Sequence, residues 1–189
     1  MSYVPPRRSD DTHQTRRLRQ PWPSDRPFRI LSIDGGGICG ILPAAVLAEL
    51  EHRFLGGRSI AGHFDMIAGT STGGIIALGL AHGRTAADVR DIYVERGSLI
   101  FPPPSRIGRI VRSVRRTHRY AYDRGPLEDE LLRIFGDAPF GDARTRLCIP
   151  SFEGRHGEPW IFKTPHHPDY RKDRFERMVK VGLSTAAAP

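Results

Sequence analysis

The sequence predicts an α/β fold with a mostly parallel sheet. Three observations favour it: short apolar segments alternate with longer segments of helical periodicity, glycine-rich turns follow the first two apolar segments, and 189 residues suffice for one domain of ordinary size. Alternation of strands and helices favours parallel pairing, because each helix carries the chain back to the start of the next strand. We therefore expect helices on both faces of the sheet.

Composition limits the class of protein. The chain is 39% hydrophobic and 26% charged, with a net charge of +8, and none of its apolar segments approaches the roughly 20 residues that cross a bilayer. The sequence has two cysteines, Cys39 and Cys148, which lie far apart and form no Cys-x-x-Cys pair. We therefore expect reduced thiols rather than a disulfide scaffold. We expect a cytoplasmic protein, with peripheral contact at a membrane left open.

The predicted elements follow one another along the chain. A first strand at residues 29–33 ends at three glycines, and a helix follows at residues 41–55. A second strand at 64–68 leads to a second helix at 73–82, which is apolar on nearly every side. The later elements are a helix from 85 to about 96 opened by a capping box, strands at 146–152 and 160–163, and a helix at 173–181. The first helix is amphipathic, with apolar residues at Leu42, Val46, Leu47, Leu50 and Phe54.

Gly69-Thr-Ser-Thr-Gly73 lies between the second strand and the second helix. This context is typical of a nucleophile elbow, which presents a serine hydroxyl at the carboxyl edge of a sheet. The helix N-terminus and the N–H of Thr72 favour negative charge beside Ser71. The competing interpretation of the pentapeptide alone is a small-residue turn without chemistry.

A second glycine-rich turn, Asp34-Gly-Gly-Gly-Ile-Cys-Gly40, follows the first strand. Consecutive glycines can present several backbone N–H groups to one anion. The G-x-G-x-x-G spacing of Gly35, Gly37 and Gly40 is also found in dinucleotide sites, but those require an acid at the end of the second strand, and Asp65 lies at its start. A serine on one turn and backbone donors on the next suit acyl transfer better.

These paired motifs, with the terminal Ser184-Thr-Ala-Ala-Ala-Pro189, resemble those of the patatin-like phospholipases over roughly residues 28–189. The resemblance implies a three-layer α/β/α fold, a Ser–Asp dyad, and hydrolysis of phospholipids or related lipid esters without metal or cofactor. It implies that Ser71 is the nucleophile and that the oxyanion hole is formed by the backbone of Gly35, Gly36, Gly37 and Ile38. Residues 1–27 are expected to form a disordered basic leader.

Two features depart from the family's pattern. Cys39 stands where the family commonly has arginine, so a positive charge near the oxyanion is lost. The family's base is an aspartate in an Asp-Gly-Gly or Asp-Gly-Ala motif beyond the Ala-Ala-Pro segment, whereas the Asp-Gly pair of this sequence is Asp34-Gly35. We therefore expect a domain whose C-terminal part, with the catalytic base, is missing. An inactive fragment that acts as a binding module is the alternative.

Histidines offer a weaker alternative for the base. His156, His166 and His167 follow Ser71 in the order of a Ser–Asp–His hydrolase, but their context is typical of polar surface turns. Their spacing also gives no metal-binding pattern.

One arginine-rich segment has no place in the acyl-transfer scheme. Arginine recurs about every third position in this segment, and the apolar residues between the arginines recur at helical spacing. The arginines are Arg106, Arg109, Arg112, Arg115, Arg116 and Arg119. An exposed helix is expected; contact with an anionic membrane is an alternative, and nucleic acid is disfavoured because aromatic residues are sparse. Bacterial effectors with similar glycine loops and serine elbows are phospholipases activated by cyclic nucleotides in anti-phage defence, and basic residues would suit such a ligand.

Overall fold

The computed structural model describes residues 25–101, 124–167 and 170–187. They form a four-stranded sheet in the order β1-β2-β3-β4. The strands are β1 (Ile30–Ile33), β2 (Met66–Gly69), β3 (Arg146–Glu153) and β4 (Glu158–Lys163); the helices are α1 (Ile41–Leu55), α2 (Thr72–His82), α3 (Ala86–Ile100), α4 (Gly125–Phe135) and α5 (Met178–Ala186). β1, β2 and β3 are parallel, and β4 is antiparallel to β3. The predicted α/β class with a mostly parallel sheet is confirmed.

Two expectations fall largely outside the described residues. The arginine-rich segment at 106–119 lies there entirely, so its membrane contact stays a prediction. Most of the expected leader, residues 1–27, lies outside the described residues too.

At the described end of this leader, the guanidinium of Arg26 makes two hydrogen bonds of 2.7 and 2.6 Å to the carboxylate of Asp65. With a backbone hydrogen bond from Arg29, this pair holds the pKa of Asp65 well below its ordinary value.

The register of β1 and β2 places two turns side by side. Ile33 is the partner of Gly69, so both strands end at the same level. Parallel strands share their carboxyl edge, and the chain leaves that edge through the glycine-rich turn after β1 and the serine turn after β2. The adjacency expected from the sequence therefore follows from strand register.

The core lies on one face of this sheet. Ile33, Ile67, Leu147 and Ile149 are buried there, and α2 and α5 pack against β2 and β3. α2 is buried from Thr72 to Ala81, as its uniformly apolar sequence predicts. Residues that alternate with the core positions point to the other face, where Ile30 and Ser32 are exposed and Met66 and Ala68 are half-buried. Within the described residues, that second face is incompletely covered.

Glu51 joins α1 to two other segments. Its carboxylate is 1% exposed and accepts hydrogen bonds from the N–H of Ile60 (2.8 Å) and the N–H of Ala86 (2.7 Å). Both N–H groups belong to the first residue of a helical segment, where N–H groups have no acceptor within the helix. One carboxylate therefore stabilises the 3₁₀ turn Ile60–His63 and the start of α3. The capping box predicted at Thr85 and Asp88 is present as well.

α1 exposes more apolar surface than its sequence indicates. Its buried positions are Ala44, Leu47, Ala48 and Glu51. The other four apolar residues that defined the helical pattern are exposed: Leu42, Val46, Leu50 and Phe54. Two of its buried positions, Ala44 and Ala48, carry small side chains, and α1 packs against α3.

The C-terminal helix begins later than predicted. The sequence pattern indicated residues 173–181, but Asp173–Phe175 form a separate 3₁₀ turn and α5 begins at Met178. The backbone between them is held extended by hydrogen bonds from Phe140 N to Glu176 O (2.7 Å) and from Met178 N to Ala138 O (2.9 Å). Tertiary pairing therefore overrides local helix propensity here. Helix α4 was not predicted, although it has a proline in its first turn.

Replacement of Glu51 by alanine tests its capping role. The change leaves two buried N–H groups without an acceptor, so we expect the free energy of unfolding to fall by about 3 kcal/mol. Glu49→Ala is the matched control on the same helix, because Glu49 is about half exposed and pairs only with Arg53 among the described residues; a change below about 0.5 kcal/mol is expected there. Urea denaturation followed by circular dichroism measures both, and equal losses would contradict the capping role.

Candidate active site

Ser71 occupies a strained turn between β2 and α2. Its backbone dihedrals are φ 57° and ψ −127°, and it is the one non-glycine residue with positive φ in the described part of the chain. Such a conformation costs about 1–3 kcal/mol and persists where the surroundings enforce it. Ser71 is the N-cap residue of α2, yet its side chain makes no capping hydrogen bond. The hydroxyl is thus not engaged in stabilising the helix.

Close backbone packing enforces the turn. A Cβ on Gly69 would lie 2.3 Å from the carbonyl oxygen of Gly73, and a Cβ on Gly73 would lie 2.2 Å from the carbonyl oxygen of Ile33. Distances under about 3 Å exclude any side chain at these positions. The glycines of the predicted G-x-S-x-G motif therefore allow α2 to approach the ends of β1 and β2 directly.

The glycine-rich turn lies against the serine turn. A Cβ on Gly35 would be 2.4 Å from the carbonyl oxygen of Thr70 and 2.7 Å from the Cβ of Ser71. The N–H of Gly36 donates to the hydroxyl of Thr72 at 3.1 Å. Gly36 and Gly37 both have positive φ, which glycine adopts without a steric cost. The two predicted motifs thus meet, and a hydrogen bond joins them.

Backbone N–H groups at this junction differ in their availability. The N–H of Gly36 is already bonded to Thr72. Gly37 and Ile38 are the first residues of the 3₁₀ turn Gly37–Gly40. The first hydrogen bond of this turn runs from Cys39 N to Gly36 O at 3.1 Å. The N–H groups of Gly37 and Ile38 therefore have no acceptor within the turn. The N–H of Thr72 lies in the first turn of α2, where helical N–H groups have no intrahelical acceptor.

Thr185 fixes the serine turn from the other side, and sequence reasoning gave it no role. Its hydroxyl accepts a hydrogen bond from the N–H of Ser71 (2.9 Å) and donates one to the carbonyl oxygen of Pro150 (2.6 Å). A residue of α5 therefore connects the turn after β2 to strand β3. The signal was present in the sequence, because Thr185 belongs to the terminal segment that resembles the family's motif.

Tyr93 supports the same turn from α3. Its hydroxyl donates to the carbonyl oxygen of Thr72 at 3.3 Å, and burial raises its pKa well above the ordinary value of tyrosine. A Cβ on Gly40 would lie 2.9 Å from the Cβ of Thr72 and 3.4 Å from the Tyr93 ring. Gly40, the last glycine of the predicted G-x-G-x-x-G spacing, therefore allows the loop to pack closely against Thr72 and Tyr93.

The described residues supply no base bonded to the serine. Within residues 25–101, 124–167 and 170–187, no hydrogen bond joins Ser71 Oγ to a carboxylate or an imidazole. His156 pairs with Glu153 at 2.6 Å in the β3–β4 turn. His166 bonds the hydroxyl of Thr164 at 2.9 Å, and burial, with the positive charge of Arg146 nearby, lowers its pKa.

The same described ranges contain no group of three or more His, Cys, Asp or Glu side chains arranged to hold a metal ion. None of the helices in the described part of the chain combines the length and apolar character needed to cross a bilayer.

A serine on a strained strand-to-helix turn, packed against a glycine-rich loop, is an arrangement typical of serine acyl hydrolases. The model of the family described as patatin-like phospholipase matches residues 31–189, and the chain belongs to that family.

The chain is similar to bacterial and plant relatives. It is 40% identical over 162 residues to a cGAMP-activated phospholipase of Pseudomonas aeruginosa, with 86% of this chain and 47% of the relative covered. It is 36% identical over 171 residues to a cGAMP-activated phospholipase of Vibrio cholerae, covering 85% and 48%. Patatin-like protein 2 of Arabidopsis thaliana is 36% identical over 178 residues, covering 85% and 42%. The chain thus spans about half the length of these relatives.

Substitutions at Thr185 test its role in holding the serine turn. Thr185→Val keeps the shape but removes both hydrogen bonds, so we expect the free energy of unfolding to fall by about 2 kcal/mol. Thr185→Ser keeps the hydroxyl and is expected to lose about 1 kcal/mol or less. Urea denaturation compares the two variants, and a valine variant no less stable than the serine variant would contradict a role for the two hydrogen bonds.

Proposed function

We propose that this chain carries the nucleophile and oxyanion hole of a patatin-type lipid acyl hydrolase. Ser71 Oγ adds to the carbonyl carbon of a lipid ester, and the alcohol leaves as an acyl-enzyme forms; water then releases the fatty acid. The observation that carries the proposal is the positive-φ turn of Ser71 packed against the Gly35–Gly37 loop. Phospholipids are the proposed substrate class, as the family's name implies.

The oxyanion hole that we propose uses fewer residues of the glycine loop than the four that the resemblance implied. Gly37 and Ile38 would donate their N–H groups to the oxyanion, together with Thr72. Gly36 would instead position the loop through its hydrogen bond to Thr72, and Gly35 would allow close approach to Ser71. Cys39 is exposed on this loop and brings no positive charge. The proposed base is an aspartate from outside the described residues.

Fluorophosphonate labelling of the 189-residue chain tests the proposed nucleophile. An oxyanion hole retains part of the rate acceleration even without its base, so we expect slow labelling at one site. Ser71→Ala is expected to abolish that labelling. Ser32→Ala is the matched control, because Ser32 is an exposed serine on the neighbouring strand, and it should label like the unsubstituted chain. Labelling that persists in Ser71→Ala would remove Ser71 as the nucleophile.

Added small bases test the origin of the proton acceptor. If no residue of this sequence serves as the base, imidazole or formate should accelerate labelling of the unsubstituted chain several-fold by taking the serine proton. Labelling that is fast without added base, and insensitive to it, would show that a base within this chain already serves Ser71.

A cyclic-nucleotide-activated phospholipase is a second candidate function. It is favoured by the bacterial relatives above, which are described as cGAMP-activated. By this proposal a cyclic dinucleotide binds the protein and increases hydrolysis by the Ser71 site. The basic residues at 106–119 would favour a doubly anionic ligand.

Thermal unfolding with cyclic dinucleotides tests this candidate. A ligand at 100 times its Kd stabilises the folded state by about 2.7 kcal/mol, which raises the Tm of a domain this size by several degrees. We expect cGAMP to raise the Tm, with linear dinucleotides of the same bases as the control for charge alone. Equal shifts with both ligands, or none with either, would contradict specific binding.

A further inference from the structure

Two positively charged side chains are neighbours on the second, incompletely covered face of the sheet. Arg146 is the first residue of β3, and Lys163 is the last residue of β4. Lys163 is in register with Cys148, two residues after Arg146, so both charged side chains point to the same face and are diagonal neighbours. Both are half-buried. Like charges at neighbouring positions of one sheet face repel each other, and partial burial strengthens that repulsion.

The contacts of these two cations are mainly with aromatic rings. The guanidinium of Arg146 lies 5.6 Å from the centroid of the Phe28 ring, and its Nη1 donates a long hydrogen bond of 3.4 Å to the carbonyl oxygen of Asp65. The ammonium of Lys163 lies 4.8 Å from the centroid of the Tyr170 ring. An aromatic ring attracts a cation without neutralising its charge. Both groups therefore keep donors that can bind an anion.

Two carboxylates near these cations are engaged by other groups. The carboxylate of Asp65 accepts both hydrogen bonds of the Arg26 guanidinium. The carboxylate of Asp173 accepts the backbone N–H of Lys163 at 3.0 Å. In the described part of the chain, neither carboxylate forms an ion pair with Arg146 or with the Lys163 ammonium. The pair of cations thus lacks a counter-charge that a bound anion would supply.

An imidazole adds a third donor to this cluster. The ring of His166 packs against that of Tyr170, with centroids 5.1 Å apart. The buried hydroxyl of Thr164 accepts a hydrogen bond from the N–H of Leu147 at 2.9 Å and lies 2.9 Å from Nδ1 of His166. Because this hydroxyl is already an acceptor, its own hydrogen is directed to Nδ1, and the ring carries its hydrogen on Nε2. Burial, with the positive charge of Arg146 nearby, lowers the pKa of His166, so the ring is neutral at pH 7.

We propose that Arg146, Lys163 and His166 bind the phosphate group of a ligand. Guanidinium, ammonium and imidazole N–H groups are all donors, and a phosphate offers a charged oxygen to each of them. The site lies at the amino end of β3, whereas Ser71 follows the carboxyl end of the parallel neighbour β2. The inference therefore goes beyond the proposed function and does not rest on it. A soluble phosphate ester and a phospholipid headgroup share this chemistry.

Equilibrium dialysis with radiolabelled inorganic phosphate tests the site. At constant ionic strength we expect the 189-residue chain to bind phosphate. Arg146→Gln and Lys163→Gln each remove one charged donor and should weaken binding about tenfold or more. Arg155→Gln is the matched control, because it removes the same charge from the exposed turn of the same hairpin, and it should bind normally. Ser71→Ala should also bind normally.

Thermal unfolding without phosphate checks that the variants fold. Removal of either cation relieves the repulsion but loses one ring contact, so the Tm of Arg146→Gln and of Lys163→Gln should change by only a few degrees. The two variants alter different strands, so a loss of folding in one leaves the other as the test. No binding by the unsubstituted chain would overturn the site. Equal weakening by Arg155→Gln would also overturn it, because the attraction would then come from net charge alone.

Two further probes separate the sources of the phosphate group. Glycerol 3-phosphate, added as a competitor in the dialysis, represents a soluble ester. Flotation with phosphatidylcholine vesicles that contain phosphatidic acid measures binding to a lipid headgroup. Vesicle binding that is weakened by Lys163→Gln and not by Arg155→Gln would support the lipid source. Displacement by glycerol 3-phosphate without such vesicle binding would support the soluble ester, and failure of both probes would overturn a phosphate-bearing ligand.

Discussion

Direct contact between backbone atoms of α2 and of the strand ends is the constraint on which the candidate site depends. At Gly69 and Gly73 there is no room for a side chain, and a Cβ at Gly73 would meet the carbonyl oxygen of Ile33. The helix therefore starts immediately beyond the sheet, and Ser71 must turn with positive φ to connect the two. Its hydroxyl position follows from main-chain packing rather than from a side-chain contact.

Three hydrogen bonds convert that close packing into a defined geometry. Gly36 donates to Thr72 from the loop after β1, Tyr93 donates to Thr72 from α3, and Ser71 donates to Thr185 of α5. Elements separated by up to 114 residues in the sequence thus converge on two consecutive residues. A strained conformation requires such surroundings, because its cost is met by contacts made elsewhere.

The sequence predicted those parts of the molecule that local rules govern. Glycine spacing and the strand–turn–helix pattern located Ser71 and the glycine loop, and α1 has the bounds that its periodicity indicated. The resemblance marked the segment that contains Thr185, but the two hydrogen bonds of Thr185 depend on the packing of α5 beside β3. The sequence could not indicate that the N–H of Gly36 is occupied. The start of α5 was misjudged because residues 138–140, distant in sequence, hold residues 176–178 extended.

The unequal covering of the two sheet faces has a thermodynamic consequence. Ile30 and Ser32 are exposed and Met66 and Ala68 half-buried, so the described residues bury less apolar surface than a parallel sheet covered on both sides. The heat-capacity increase on unfolding scales with the apolar surface that becomes hydrated. The described fold should therefore unfold with a heat-capacity increase below the usual value of about 12–15 cal/mol/K per residue. Its stability would then vary less steeply with temperature, on both the cold and the warm side of its maximum.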